Sequence, residues 1–239
     1  MALLEGRKIS KFFGGVQALS KVDFTVDAGS IVGLIGPNGA GKTTLFNTVA
    51  GAFKPTSGQV IFNGLDITGL PATDVCRMGM ARTFQVSRPF GAMSCLENVM
   101  VAAINRRPSE PRAAIEGLAR EKLRMVGLLE QEGVEARHLN VIQKKRLELA
   151  RALATEPKLL LLDEVMGGLN TQEINQAVAF IRSLRDELGL TVLWIEHVMG
   201  AVMQAAERII VLDQGRILTA GAPQEVVADE RVIQAYLGE

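Results

Sequence analysis

The chain of 239 residues balances 26 Lys and Arg against 26 Asp and Glu, with 48% hydrophobic and 22% charged residues. That length holds one large α/β domain, or a core with a modest inserted subdomain, and excludes two independent domains. The even charge gives no reason to expect a nucleic-acid or anionic-membrane partner, and the ordinary composition, with no Pro/Ser-rich or low-complexity stretch, excludes disorder.

Cys76 and Cys95 have no metal-ligand spacing and make no disulfide framework, so two ordinary thiols in a reducing compartment are expected. The opening MALLEGRKIS carries charge early and has no long apolar stretch, unlike a signal peptide or an anchor. The most apolar run, Leu159 to Leu162, is too short to span a bilayer. A soluble cytoplasmic chain is the expectation.

In chain order, Val22 to Val26 alternates as a half-buried strand, and Ile31 to Ile35 follows as an apolar strand stopping at Gly36. A helix is expected from Lys42 to about Ala50. Gln59 to Phe62 is a short strand closed by Asn63-Gly64, a turn pair whose residues accept positive φ. Ser94 and Glu97 make a capping box that opens a helix through about Ile104; helical patterns recur over Glu110 to Val126 and Arg146 to Leu153. Strand Leu159 to Leu162, helix Thr171 to Glu187, strand Thr191 to Ile195, helix Val198 to Ala206 and paired strands Ile209 to Leu212 and Arg216 to Leu218 follow. Alternating strand and helix predicts a largely parallel sheet. The expected organisation is an α/β core over about 1–85 and 157–239, with a helical insertion over about 86–156 and no internal repeat.

Gly36-Pro37-Asn38-Gly39-Ala40-Gly41-Lys42-Thr43, followed by Thr44, matches G-x-x-x-x-G-K-[ST] and lies between a strand and a helix, the context that motif requires. Glycines let successive backbone N–H groups turn inward around phosphates, and the helix presents its positive end to the same anion. Lys42 is the candidate for the β- and γ-phosphates of ATP and the Thr43 hydroxyl for Mg²⁺. Leu159-Leu-Leu-Leu-Asp163-Glu164 delivers two carboxylates at the end of a buried strand, where open α/β sheets bind ligands. Asp163 is expected to hold Mg²⁺ through its water shell and Glu164 to orient or deprotonate the attacking water.

Those motifs, in that order, resemble the ATP-binding subunits of ABC transporters over essentially the whole chain. The resemblance implies an α/β, P-loop NTPase (RecA-like) core with an N-terminal antiparallel β subdomain and an inserted α-helical subdomain, a single domain over residues 1–239. It places Phe13, in Lys11-Phe-Phe-Gly14, on the adenine ring, with Phe12, read as the core-facing neighbour, as the competing choice. It makes Gln85, in Ala81-Arg-Thr-Phe-Gln85, a contact of Mg²⁺ and water, Gly168-Leu169-Asn170 the loop sensing the opposite subunit's site, and His197 the γ-phosphate switch. The stretches ARTFQ, LENV, IEHVM and AYLGE resemble the subfamily serving branched-chain amino-acid importers.

One stretch departs from the pattern. The family's signature loop, Leu-Ser-Gly-Gly-Gln, reaches the γ-phosphate of the opposite subunit; here the aligned residues are Leu139-Asn140-Val141-Ile142-Gln143. Asn140 can still cap the helix leading to Arg146, whereas Val141 and Ile142 disfavour positive φ and fill space where backbone would approach a phosphate. A heterodimer with a second ATP-binding subunit whose signature is intact is therefore expected in preference to a homodimer. In the resemblance, permease subunits insert a coupling helix into a groove beside Gln85, to which Val86-Ser-Arg88-Pro-Phe90 and Met93 would belong. The expected role is the energising subunit of an importer of small polar solutes, peripheral on the inner face of the membrane and linked only indirectly to a solute-binding protein. A lipid-handling or export system, a soluble mechanochemical ATPase and a non-hydrolysing nucleotide sensor are the competing readings.

Overall fold

The structure, a computed structural model, describes residues 1–237. The elements in chain order are β1 (Ala2–Phe13), β2 (Val16–Asp27), β3 (Ile31–Ile35), α1 (Lys42–Val49), β4 (Ser57–Phe62), β5 (Leu65–Asp66), α2 (Ala72–Arg77), β6 (Met80–Arg82), α3 (Cys95–Arg106), α4 (Arg112–Met125), α5 (Val141–Leu153), β7 (Leu159–Asp163), α6 (Thr171–Leu188), β8 (Thr191–Ile195), α7 (Met199–Ala205), β9 (Arg208–Asp213), β10 (Arg216–Gly221), α8 (Pro223–Val227) and α9 (Glu230–Leu237). Gly238 and Glu239, which end the AYLGE stretch, lie outside the described residues.

The chain divides into two compact units, one of residues 1–75 and 161–239 and one of residues 76–160. In the first, an antiparallel sheet ordered β2-β1-β4-β5 accompanies a mainly parallel sheet containing the order β10-β9-β3-β8-β7. β3 is parallel to both neighbours, with Leu34 opposite Ile195 on one side and Ile210 on the other. Every residue of β3 and β8 is buried, the mark of a strand covered on both faces. Trp194, Phe46 and Phe62 are among the largest fully buried side chains of this unit.

The α/β class with an antiparallel β part and a helical part agrees with expectation. β1 is an addition: its buried side chains Leu3-Leu4 and Ile9-Ser10 fall at adjacent positions because the pairing with β2 shifts register between Ala2 and Leu4, between Gly6 and Ile9 and again after Ile9. Such bulges break the period of two by which a strand is recognised. Asn63 and Gly64 take φ of 50° and 79°, as a turn closing β4 onto β5 requires.

The second unit is built on α3, α4 and α5, whose buried residues include Val99, Ala103, Ile115, Ala119, Leu123, Leu147 and Ala150. Ser94 Oγ accepts from Glu97 N–H at 3.1 Å and Glu97 Oε2 accepts from Ser94 N–H at 2.8 Å, so the capping box forms, a motif worth about 1 kcal/mol. α5 begins at Val141, earlier than the expected Arg146, because Asn140 and Gln143 cap one another there. Gly79 O accepts from both Lys158 N–H and Leu159 N–H, securing the chain entering β7.

Candidate functional site

β3 ends at Ile35 and α1 starts at Lys42, so residues 36–41 form the bend between a buried strand and a helix N-terminus. Gly36 has φ of 148°, and a Cβ added there would lie 1.9 Å from Leu212 O of β9. Gly41 has φ of 103°, and its Cβ would lie 2.6 Å from Ala18 O of β2. Neither position admits a side chain, so the bend is cut to the surrounding main chain. Gly36 N–H donates to the Tyr236 hydroxyl at 2.8 Å. Ala40 O accepts from Gly215 N–H at 2.9 Å, and Gly215 O in turn accepts from Ser20 N–H at 2.8 Å.

Pro37 and Ala40 are buried, whereas Asn38, Gly39 and Thr43 are exposed and Thr44 is half-buried. Lys42 is only 7% exposed, and its Nζ donates to Gly36 O at 2.6 Å and Pro37 O at 2.9 Å. The ammonium is thus folded back over the bend. α1 has no acidic residue in its first turn, leaving the positive end of its dipole uncancelled.

The ends of β7 and β8 flank the same region of the sheet. Asp163, the last residue of β7, is 3% exposed. Glu164 N–H donates to Ile195 O at 2.9 Å, which binds the two strand ends together. Glu164 takes φ of 50°, a left-handed conformation that for a side chain of this kind costs about 1–3 kcal/mol. His197 Nε2 and Glu164 Oε1 are 2.7 Å apart, so the ring N–H donates to the carboxylate. The first unit therefore brings the glycine bend, Asp163, Glu164 and His197 to one end of its sheet.

The base of this assembly is Glu196, 3% exposed, which no motif marks beyond its place within IEHVM. Its Oε2 accepts from Met166 N–H at 3.1 Å and its Oε1 from His197 N–H at 2.9 Å. One carboxylate thus fixes both the start of the loop running to Gly168, Leu169 and Asn170 and the loop bearing His197. Asn170 in turn caps α6, accepting from Glu173 N–H at 3.0 Å.

Phe13 ends β1 and is 47% exposed, edge-on to Phe53 with ring centres 5.3 Å apart and planes at 88°. Lys11 Nζ lies 5.1 Å from the Phe13 ring centre and 4.8 Å from that of Phe53. Phe12 is 43% exposed, so it is not the core-facing neighbour expected of it. Phe53 carries no sequence signal, a lone aromatic in the connection between α1 and β4.

The second unit carries the remaining candidates. Gln85 is exposed, and the residues around it are held by Glu148 of α5: Phe84 N–H donates to its Oε1 at 2.9 Å and the Ser87 hydroxyl to its Oε2 at 2.6 Å. Burial pushes the Glu148 carboxyl above its ordinary range, against those hydrogen bonds and the charges of Arg151 and Arg82. Arg151, one turn on, donates to Arg88 O at 3.2 Å and lies 4.8 Å from the ring centre of the exposed Phe90. Asn98, fully buried within LENV, accepts from Phe90 N–H and donates to the carbonyls of Phe90, Met93 and Ser94. Neither Glu148 nor Asn98 was singled out, since each occupies a helix where a polar residue reads as a solvated face.

Leu139 is buried, and Asn140 and Gln143 exchange backbone-to-side-chain bonds of 2.9 and 3.0 Å. Val141 and Ile142 open α5 without positive φ, so the conformational conflict expected of them does not arise. What remains is the exposed Val141 side chain, 68% accessible at the helix start.

A family model described as ABC transporter matches residues 19–167, and one described as branched-chain amino acid ATP-binding cassette transporter matches residues 216–239. The chain is 40% identical to the high-affinity branched-chain amino acid transport ATP-binding protein LivG of Escherichia coli K12, over 95% of this chain and 94% of that protein. It is 39% identical to the corresponding protein BraF of Pseudomonas aeruginosa, over 99% and 98% of the two chains. Among solved structures, a nucleotide-free ATP-binding cassette from an ABC transporter superposes with a TM-score of 0.90 at 30% identity, covering 100% of both chains.

Proposed function

Because this chain belongs to the ABC transporter family of ATP-binding proteins, we propose that it energises an importer of branched-chain amino acids or closely related small polar solutes. It is an ATPase, converting ATP and water to ADP and phosphate in step with transport. The observation carrying the reading is the meeting, at one sheet end, of the glycine bend with its buried Lys42 and the Glu164–His197 pair.

The residues fit the nucleotide. The bend has no room for Cβ atoms at Gly36 and Gly41, Lys42 supplies a cation, and α1 supplies a helix N-terminus. Phosphate oxygens would take the place of Gly36 O and Pro37 O as partners of Lys42. Among the described residues no group of three or more His, Cys, Asp or Glu could hold a metal, so Mg²⁺ would arrive with the triphosphate and use Thr43 and Asp163. Bound Mg²⁺ supplies neutralisation of the phosphate charge. Glu164 would orient the attacking water and take its proton, and the His197 N–H would pass from Glu164 to the γ-phosphate. Phe13 would carry the adenine. For Gln85, the proposal rests on the family pattern alone.

The proposed partners are integral membrane permease subunits, which would take Arg88, Phe90 and Met93 as their docking groove, and a second ATP-binding subunit. No helix among the described residues is long and apolar enough to cross a membrane. The proposed place is the inner face of the membrane, held there by the permease. A heterodimer is favoured because Val141 stands exposed where the family presents glycine to the opposite nucleotide.

Uptake of radiolabelled leucine into proteoliposomes bearing the chain and its permease tests the solute class. ATP-dependent uptake that Glu164→Gln abolishes is the expected result; proteoliposomes that hydrolyse ATP and take up no branched-chain amino acid would refute it.

A further inference from the structure

The hydrogen-bond ladder of β3 ends with Ile35 opposite Val211, and the next amide, that of the buried Gly36, has left the sheet. Its N–H donates instead to the Tyr236 hydroxyl at 2.8 Å, across 200 residues of sequence. A buried amide whose acceptor is removed loses a hydrogen bond and retains its desolvation cost, so this phenol holds the chain at the point where it turns into the phosphate bend.

The local structure aims Tyr236 there. Asp229 accepts from Arg231 N–H at 2.9 Å and from the Arg231 guanidinium at 2.6 and 3.0 Å, and its carbonyl takes the Val232 and Ile233 amides, which starts α9. Val232 is 5% exposed and anchors the helix. Tyr236 lies four residues on, on the same helical face, and so points the same way.

We propose that Tyr236 is a positioning residue for the phosphate loop: the C-terminal helix sets the conformation of Gly36, and through it nucleotide affinity. The inference rests on the phosphate reading of residues 36–44 and deepens it by adding a residue far away in sequence.

Tyr236 is the single tyrosine of the chain, so growth on 3-fluorotyrosine labels this site alone. One ¹⁹F resonance is expected, moving saturably with added MgADP at the midpoint measured by calorimetry on the same sample. Tyr236→Phe keeps the ring and removes only the hydroxyl, and should weaken MgADP binding about three- to tenfold. A resonance unmoved at saturating MgADP, or wild-type affinity in Tyr236→Phe, overturns the proposal and leaves the phosphate reading intact. A wild-type chain that binds no MgADP overturns both. Should Tyr236→Phe fold poorly, the resonance of the labelled wild-type chain decides alone.

Discussion

Glu164 is held in a left-handed backbone conformation while its side chain pairs with His197. Strain of that kind persists only where the surroundings over-determine it, and here they do: its N–H is taken by Ile195 O, and Glu196 clamps the loops on either side. Glu164→Gln keeps the shape and removes the proposed base, so turnover should fall about 10²- to 10⁴-fold while equilibrium nucleotide binding persists, measured by phosphate release and by calorimetry. Gly36→Ala has a different outcome. Its Cβ would overlap Leu212 O, so this variant should lose nucleotide binding altogether and about 2–4 kcal/mol of stability, read from urea denaturation.

At the scale of elements, α5 does two things at once: Asn140 caps its start, and Glu148 in its interior holds the chain on both sides of Gln85. Glu148→Ala would leave the part-buried Phe84 amide and Ser87 hydroxyl without their acceptor and should lower stability by about 1–2 kcal/mol by chemical denaturation. The pH dependence has a definite sign. A carboxyl raised in the folded state favours folding when protonated, so its cost is present at neutral pH and relieved as pH falls through the folded value toward the ordinary glutamate value. Wild type should therefore gain stability relative to Glu148→Gln on acidification through that window. Phe90, exposed and packed beside Arg151, invites a separate test: Phe90→Asp should abolish coupled uptake in proteoliposomes and leave nucleotide affinity unchanged.

For the whole molecule, the strand-to-helix order, both buried strands β3 and β8, and the phosphate motif were legible because each signal is local in sequence. β1 was not, since its bulges scramble the alternation, and neither were α8 and α9, which at five and eight residues are too short to show a helical period. The side chains that support the site escaped for a related reason. Glu148, Glu196 and Tyr236 act on backbone groups distant in sequence, and no spacing rule connects residue 36 with residue 236. The unlike-partner proposal also belongs to this scale: the purified chain alone should hydrolyse ATP slowly, and faster when mixed with a subunit bearing Leu-Ser-Gly-Gly-Gln. Brisk turnover by a homodimer would refute it.

Gly215 joins two parts of the first unit by main chain alone, receiving Ser20 N–H from β2 and giving its own N–H to Ala40 O in the glycine bend. β2 is itself laced to β1, which ends in Phe13. With Phe13 under the adenine, as proposed, its distance from the glycine bend is set largely by main-chain bonds, like the opening of a caliper. On that reading, exchanges of the side chains resting on either jaw would retune grip, whereas an insertion or deletion between the jaws would change the length of ligand that fits.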